Sequence, residues 1–164
     1  MSNYRIYVEK KKEFQVEAKS LQTELNLNLG LNLKNVRFIN VYDLFNFSEE
    51  LLEKSRYQVF GEIVTDNVYN SIDLSNKKYL AIEFLPGQFD QRASSAIDCV
   101  KLIDPNASIN IRSGKIYILD DDISSSDLER VKKYCINKVE AREKDLSKLT
   151  DMEEIGRASC RERV

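Results

Sequence analysis

The sequence predicts an α+β fold, a sheet carrying helices on one face, and three observations support that expectation. Short runs with strand character alternate with longer stretches whose apolar residues recur at helical spacing. The same order of elements occurs twice at one fixed offset. Turn and capping residues fall at the joints between the runs.

The offset is the distance from Tyr4 to Tyr79, 75 residues, and these two residues open the runs YRIYVEK and YLAIEFL. Carried forward, Phe14 falls on Phe89, Ala18 on Ala93, Leu21 on Ala96 and Leu25 on Val100. That spacing is the inward stripe of an amphipathic helix. VRFINVYDL (36–44) then falls on IRSGKIYIL (111–119), matching Arg37 with Arg112, Tyr42 with Tyr117 and Leu44 with Leu119. Two residues beyond that register, Leu51 meets Leu128 and Tyr57 meets Tyr134. One register shared by four elements predicts two repeated β-α-β(β)-α halves, about 1–70 and 76–140, related by a pseudo-two-fold rotation.

Within the second half, Ser113-Gly114 reads as a two-residue hairpin turn, with Gly114 supplying a positive φ. It would set Ile111 against Ile116 and Ile109 against Ile118 on one side of the ribbon. The first half has Phe38-Ile39-Asn40-Val41 at that place, without a glycine. Ser126-Asp127-Leu128-Glu129 has the pattern of a capping box opening the final helix. Phe47-Ser48 before Glu49-Glu50 opens its counterpart, with acids at the positive end of the dipole. VTDNVYNSIDLSNKK (64–78) reads as a polar connection between the halves. The domain is expected to span 1–140, and the charged stretch from 141 to 153 to begin a linker.

The chain has 164 residues, enough for one domain with a core that needs no staples. A net charge of -2 leaves no basic footprint for nucleic acid. Lys10-Lys11-Lys12, flanked by Glu9 and Glu13, reads as a solvated turn. No apolar run approaches the roughly 18 residues of a membrane span. The first residues lead into a strand instead of a signal peptide, so a cytoplasmic location is expected.

Cys99, Cys135 and Cys160 form no C-x-x-C, which supports neither a disulfide framework nor a zinc site. The chain contains no histidine, which removes Ser-His and Cys-His nucleophile pairs together with the commonest metal ligand. Asp120-Asp121-Asp122 could suit a hard cation, but consecutive carboxylates on extended chain point to alternate sides, so a solvated loop is expected. Tyr57 and Tyr134 are expected to pack with wet hydroxyls.

The densest group of hydrogen-bonding side chains lies in FLPGQFDQRASSA (84–96). Pro86-Gly87 ends a strand, and the next helix begins near Gln88 with its amide donors outward. Helical spacing puts Phe89, Ala93, Ala96 and Val100 on the buried stripe, with Asp90 and Arg92 on the flanks. Two uses are open. Gln88 or Asp90 could satisfy the free amides while Arg92 pairs locally. Alternatively Gln88, Asp90, Gln91 and Arg92 form a docking surface, with Arg92 making a forked contact to a neighbouring domain.

The stretch EFLPGQFDQRASSA (83–96) and the stretch Ile111-Arg112-Ser113-Gly114-Lys115 resemble the amino-terminal domain of the large, single-chain phosphoribosylformylglycinamidine synthases of purine biosynthesis. That domain is similar to two fused copies of the small subunit used by the split form of the enzyme. The resemblance covers residues 1 to about 150. It implies a parent ligase in which a glutaminase releases ammonia and a synthetase domain uses ATP and magnesium to form an amidine. No catalytic residue and no metal ligand of that machinery falls in this segment, so the segment alone is expected to be inactive. Its implied partners are the downstream synthetase and glutaminase domains. The alternative is a free-standing interaction or small-ligand-sensing module; a small independent enzyme is the weaker third reading. The last eleven residues, EIGRASCRERV (154–164), resemble the translation of a sequencing adapter and are expected to be foreign to the protein.

Overall fold

The computed structural model describes residues 2–144 and Leu146. β1 (Ser2–Lys10) and β2 (Arg37–Phe47) are joined through α1 (Val16–Leu29), and α2 (Glu49–Ser55) follows β2 directly. A single wide turn, Arg56–Phe60, then leads to β3 (Asp66–Tyr69). The second half runs β4 (Lys78–Phe84), α3 (Gln91–Ile103), β5 (Asn110–Leu119), α4 (Ser125–Cys135) and β6 (Ala141–Glu143). All strand pairings are antiparallel, in the order β3-β1-β2-β5-β4-β6. This is the α+β class anticipated from the pattern.

The helices share one face because strand alternation delivers their apolar partners there. Ile6, Val8, Tyr42, Leu44 and Ile111 pack against Leu51, Leu52, Ala93, Ala96 and Val100 of α2 and α3. Leu80 and Leu119 pack against Leu25 and Val131 of α1 and α4. The reverse face is buried as well. Tyr7, Ile39, Val41, Ala81, Ile116 and Ile118 form a third cluster, against which Ile72, Leu74 and Leu146 pack.

Caps explain where three helices start. Ser48 Oγ accepts from Leu51 N, Asp90 Oδ1 from Ala93 N, and Ser124 Oγ from Asp127 N. The cap of α4 is therefore Ser124, two residues before the capping box read from Ser126. Each of the three serines at 124–126 can cap, and the chain uses the one nearest the loop.

Four further expectations change. Ser113-Gly114 is not a hairpin turn. β5 runs unbroken through it, pairing with β2 on one side and β4 on the other. Ile111 consequently lies on the helix face, whereas Ile116 and Ile118 lie on the reverse face. Gly114 has a packing role: a Cβ there would stand 3.0 Å from Ile82 O and 3.1 Å from Lys144 Cδ. The connection 64–78 contains β3, and Ala141–Glu143, at the expected start of the linker, forms β6. Both outer strands are too short and polar to show period-two alternation. Phe14 and Phe89 precede their helices and are 38% and 73% exposed, so they do not join the buried stripe.

Strand order is symmetric about the β2·β5 pair. Its central register sets Asn40 against Lys115, two positions related by the 75-residue offset. β4, however, is displaced by one residue. Ile6 pairs with Tyr42, but Leu80 and not Ala81 pairs with Tyr117. Tyr4 and Tyr79 therefore serve opposite faces. A single-residue slip reverses every side chain of a strand, which is why an offset read from letters alone misplaces this one.

Candidate functional site

The segment from Leu85 to Arg92 is built around Asp90. Leu85 N donates to Glu140 O at 2.9 Å, Pro86 is buried, and Gly87 takes φ 88°. The ladder between β4 and β5 ends at the Glu83–Gly114 pair, so the next amide, Ser113 N, loses its strand partner. Asp90 replaces it. Its Oδ2 accepts from Ser113 N at 2.8 Å, and its Oδ1 accepts from Ser113 Oγ at 2.7 Å and Ala93 N at 3.0 Å. One carboxylate caps α3 and ties it to β5.

The other three members of this group lie at the surface. Gln88, Gln91 and Arg92 are exposed, beside the exposed ring of Phe89. Arg92 Nη1 donates to Tyr42 Oη at a long 3.4 Å. Burial works against the Arg92 charge, but the Tyr42 hydroxyl and the charges of Glu17 and Asp90 hold its pKa above the ordinary value. Substituting Arg92 with alanine is expected to change stability by no more than about 0.5 kcal/mol in urea unfolding, as for an ordinary surface position. A loss several times larger would make Arg92 part of the fold's support.

Arg92 also stands on the edge of a cleft. The pair α2/α3 covers one end of the sheet and the pair α1/α4 the other. Between them the helix-side surface of the β2–β5 seam is left open. Lys115 sits on a central strand and is nevertheless exposed, with its Nζ 5.9 Å from the centroid of the Phe38 ring. A cavity of about 540 Å³ lies on the β2 side, between Phe38, Asn40 and Tyr42 on the floor and Phe14, just before α1, with Glu17 and Ala18 of its first turn. The Oδ1 atom of Asn40 is shielded from solvent and has no hydrogen-bond partner among the described residues. α1 differs from the other helices in that its cap residue, Gln15, makes no side-chain bond to the first turn.

No protein-family model and no curated protein matches this chain.

On the β5 side of the seam, Tyr117 and Cys135 line a smaller cavity of about 170 Å³. Burial pushes the Tyr117 hydroxyl up to about 12 and the Cys135 thiol up to about 11, with the charge of Glu24 adding to both. Both groups stay protonated in the folded chain where the unfolded chain releases its protons, so stability should fall as pH rises from about 9 toward 12. Urea midpoints across that interval test this, and Cys135→Ala should make the fall shallower. Cys99 is exposed.

Asp120 is occupied structurally: its two oxygens accept from Lys34 N and Asn35 N, each at 2.7 Å. No group of three or more His, Cys, Asp or Glu side chains that could hold a metal occurs among the described residues. Tyr134 donates to Glu24 and accepts from Asn28, bridging α4 to α1.

Sequence reasoning missed two features. One is the open seam, for which Asn40 and Lys115 at the centres of apolar strands were the available signal. The other is a buried ionic network on the reverse face. Asp43, 1% exposed, accepts from Arg5 Nε at 2.6 Å and Lys144 Nζ at 2.7 Å. Lys144 Nζ also reaches Glu83 Oε1 at 3.2 Å, and Glu83 Oε2 accepts from Arg142.

Proposed function

We propose that this chain is the non-catalytic amino-terminal segment of a phosphoribosylformylglycinamidine synthase, in which it holds the synthetase and glutaminase domains in working relation. The observation that carries the reading is the segment 83–96. Asp90 fixes its backbone from within, and Phe89, Gln91 and Arg92 are left projecting together from a rigid corner. Rigid polar groups around one exposed aromatic ring are the composition of a docking surface. The two-fold relation between the halves belongs to the same proposal, supported by the symmetric strand order and the Asn40–Lys115 register. ATP and magnesium would act in the partner domains, in the cytoplasm.

The test is reconstitution. The catalytic part of such a synthase, lacking its own amino-terminal domain, should bind this chain and regain glutamine-dependent amidine formation. Arg92→Ala in the added chain should weaken the coupling of glutamine hydrolysis to amidine formation. Failure of the unsubstituted chain to bind or restore activity would overturn the reading.

A further inference from the structure

The open seam supports an inference that goes beyond the synthase reading and does not rest on it. The cavity on the β2 side has the size of a small-molecule pocket, for which about 300–1,000 Å³ is usual. Its walls carry both signs of charge, and the charged residues differ in how they are engaged. Lys10 and Asp66 satisfy one another at 2.9 Å. Glu13, Glu17 and Arg92 also line the cavity and make no ion pair among the described residues, and Glu17 acts electrostatically on Arg92. A ligand of one sign would be repelled by some of them. A ligand with separated opposite charges suits them all.

The remaining groups narrow the class. Asn40 lines the floor and its Oδ1 lacks a donor; shielded from solvent as it stands, it meets an N–H group once the side chain turns into the cavity. The first-turn amides of α1 lack a side-chain cap at the cavity edge and can add to the field that Arg92 offers a carboxylate. Phe14 and Phe38 give an apolar body something to pack against. We propose that this cleft binds a free α-amino acid, its carboxylate on Arg92, its ammonium between Glu17 and Asn40, and its side chain against Phe14 and Phe38.

The experiment is an amide-resolved NMR titration of the ¹⁵N-labelled chain with each standard L-amino acid, up to about 10 mM. At least one should give saturable shifts at Glu17, Ala18, Asn40 and Arg92. Its N-acetyl and carboxamide derivatives, each lacking one charge, should not. Glu17→Gln and Arg92→Gln should each weaken binding about ten-fold or more while leaving the rest of the spectrum in place. Absence of saturable shifts with every amino acid overturns the proposal. So does binding of the N-acetyl form equal to that of the free acid, or binding unaffected by both substitutions. Because the isolated chain is titrated, failure here leaves the reconstitution result untouched, and the converse also holds.

Discussion

Asp43→Ala will lower the free energy of unfolding by about 3–5 kcal/mol. The carboxylate lies between Arg5 and Lys144, and the side chains of both cations are less than one-tenth exposed. Removing it takes from two buried positive charges the carboxylate that they share. Glu83 compensates Lys144 in part, at 3.2 Å, but Glu83 already accepts from Arg142. The loss should therefore be cooperative across the network. A replacement that removes the charges together, Asp43→Leu with Arg5→Met and Lys144→Met, should recover much of the stability, since apolar substitutes of similar volume often match a buried ion pair. Urea unfolding of the single and triple variants measures both claims. A single-variant loss under about 1 kcal/mol would show that water reaches the network.

Asp90→Ala is the second large effect, about 2–4 kcal/mol. The substitution removes a helix cap and at the same time strips the buried amide and hydroxyl of Ser113 of their acceptor. A cap alone is worth about 0.5–2 kcal/mol, and an unsatisfied buried donor costs about 1–3 kcal/mol. Asp90→Asn keeps one acceptor oxygen and should lose roughly half as much. Thermal unfolding ranks the series. An alanine variant as stable as the parent would mean that Ser113 finds another acceptor. Set beside the small effect expected for Arg92→Ala, the contrast separates the member of this group that builds the corner from one that projects from it.

That contrast marks how far the sequence was legible. Helical spacing over Ala18–Leu25 and Ala93–Val100 located α1 and α3, since amphipathic helices write their buried face into the chain at a fixed interval. The repeated register also put Asn40 and Lys115 at matching positions, though what opens the seam between them is the distance between helix pairs, which no interval encodes. Gly114 misled because a glycine within a strand and a glycine in a hairpin turn look alike. Pairing with β2 and β4 on either side decides between them, and those partners are distant in sequence. Asp90 was readable as a cap, but its second role depends on where β4 stops. The ionic network joins residues 5, 43, 83, 142 and 144, and pairings across such separations leave no local pattern.

The reach of Lys144 to Asp43 also bears on how the protein is made. The two residues are 101 positions apart, and Arg5 meets Leu146 O across 141. During synthesis β1 and β2 can pair early, with Arg5 already neutralising Asp43. Glu83 and Arg142 arrive later, and the Lys144 ammonium that completes the network follows them. Until then the reverse face lacks both Leu146 and the crossing side chain over Gly114. Contacts so widely separated are slow to close and leave apolar strand surface uncovered meanwhile. The nascent chain must therefore carry an unfinished sheet until β6 emerges, which leaves the reverse face in need of shelter on the ribosome.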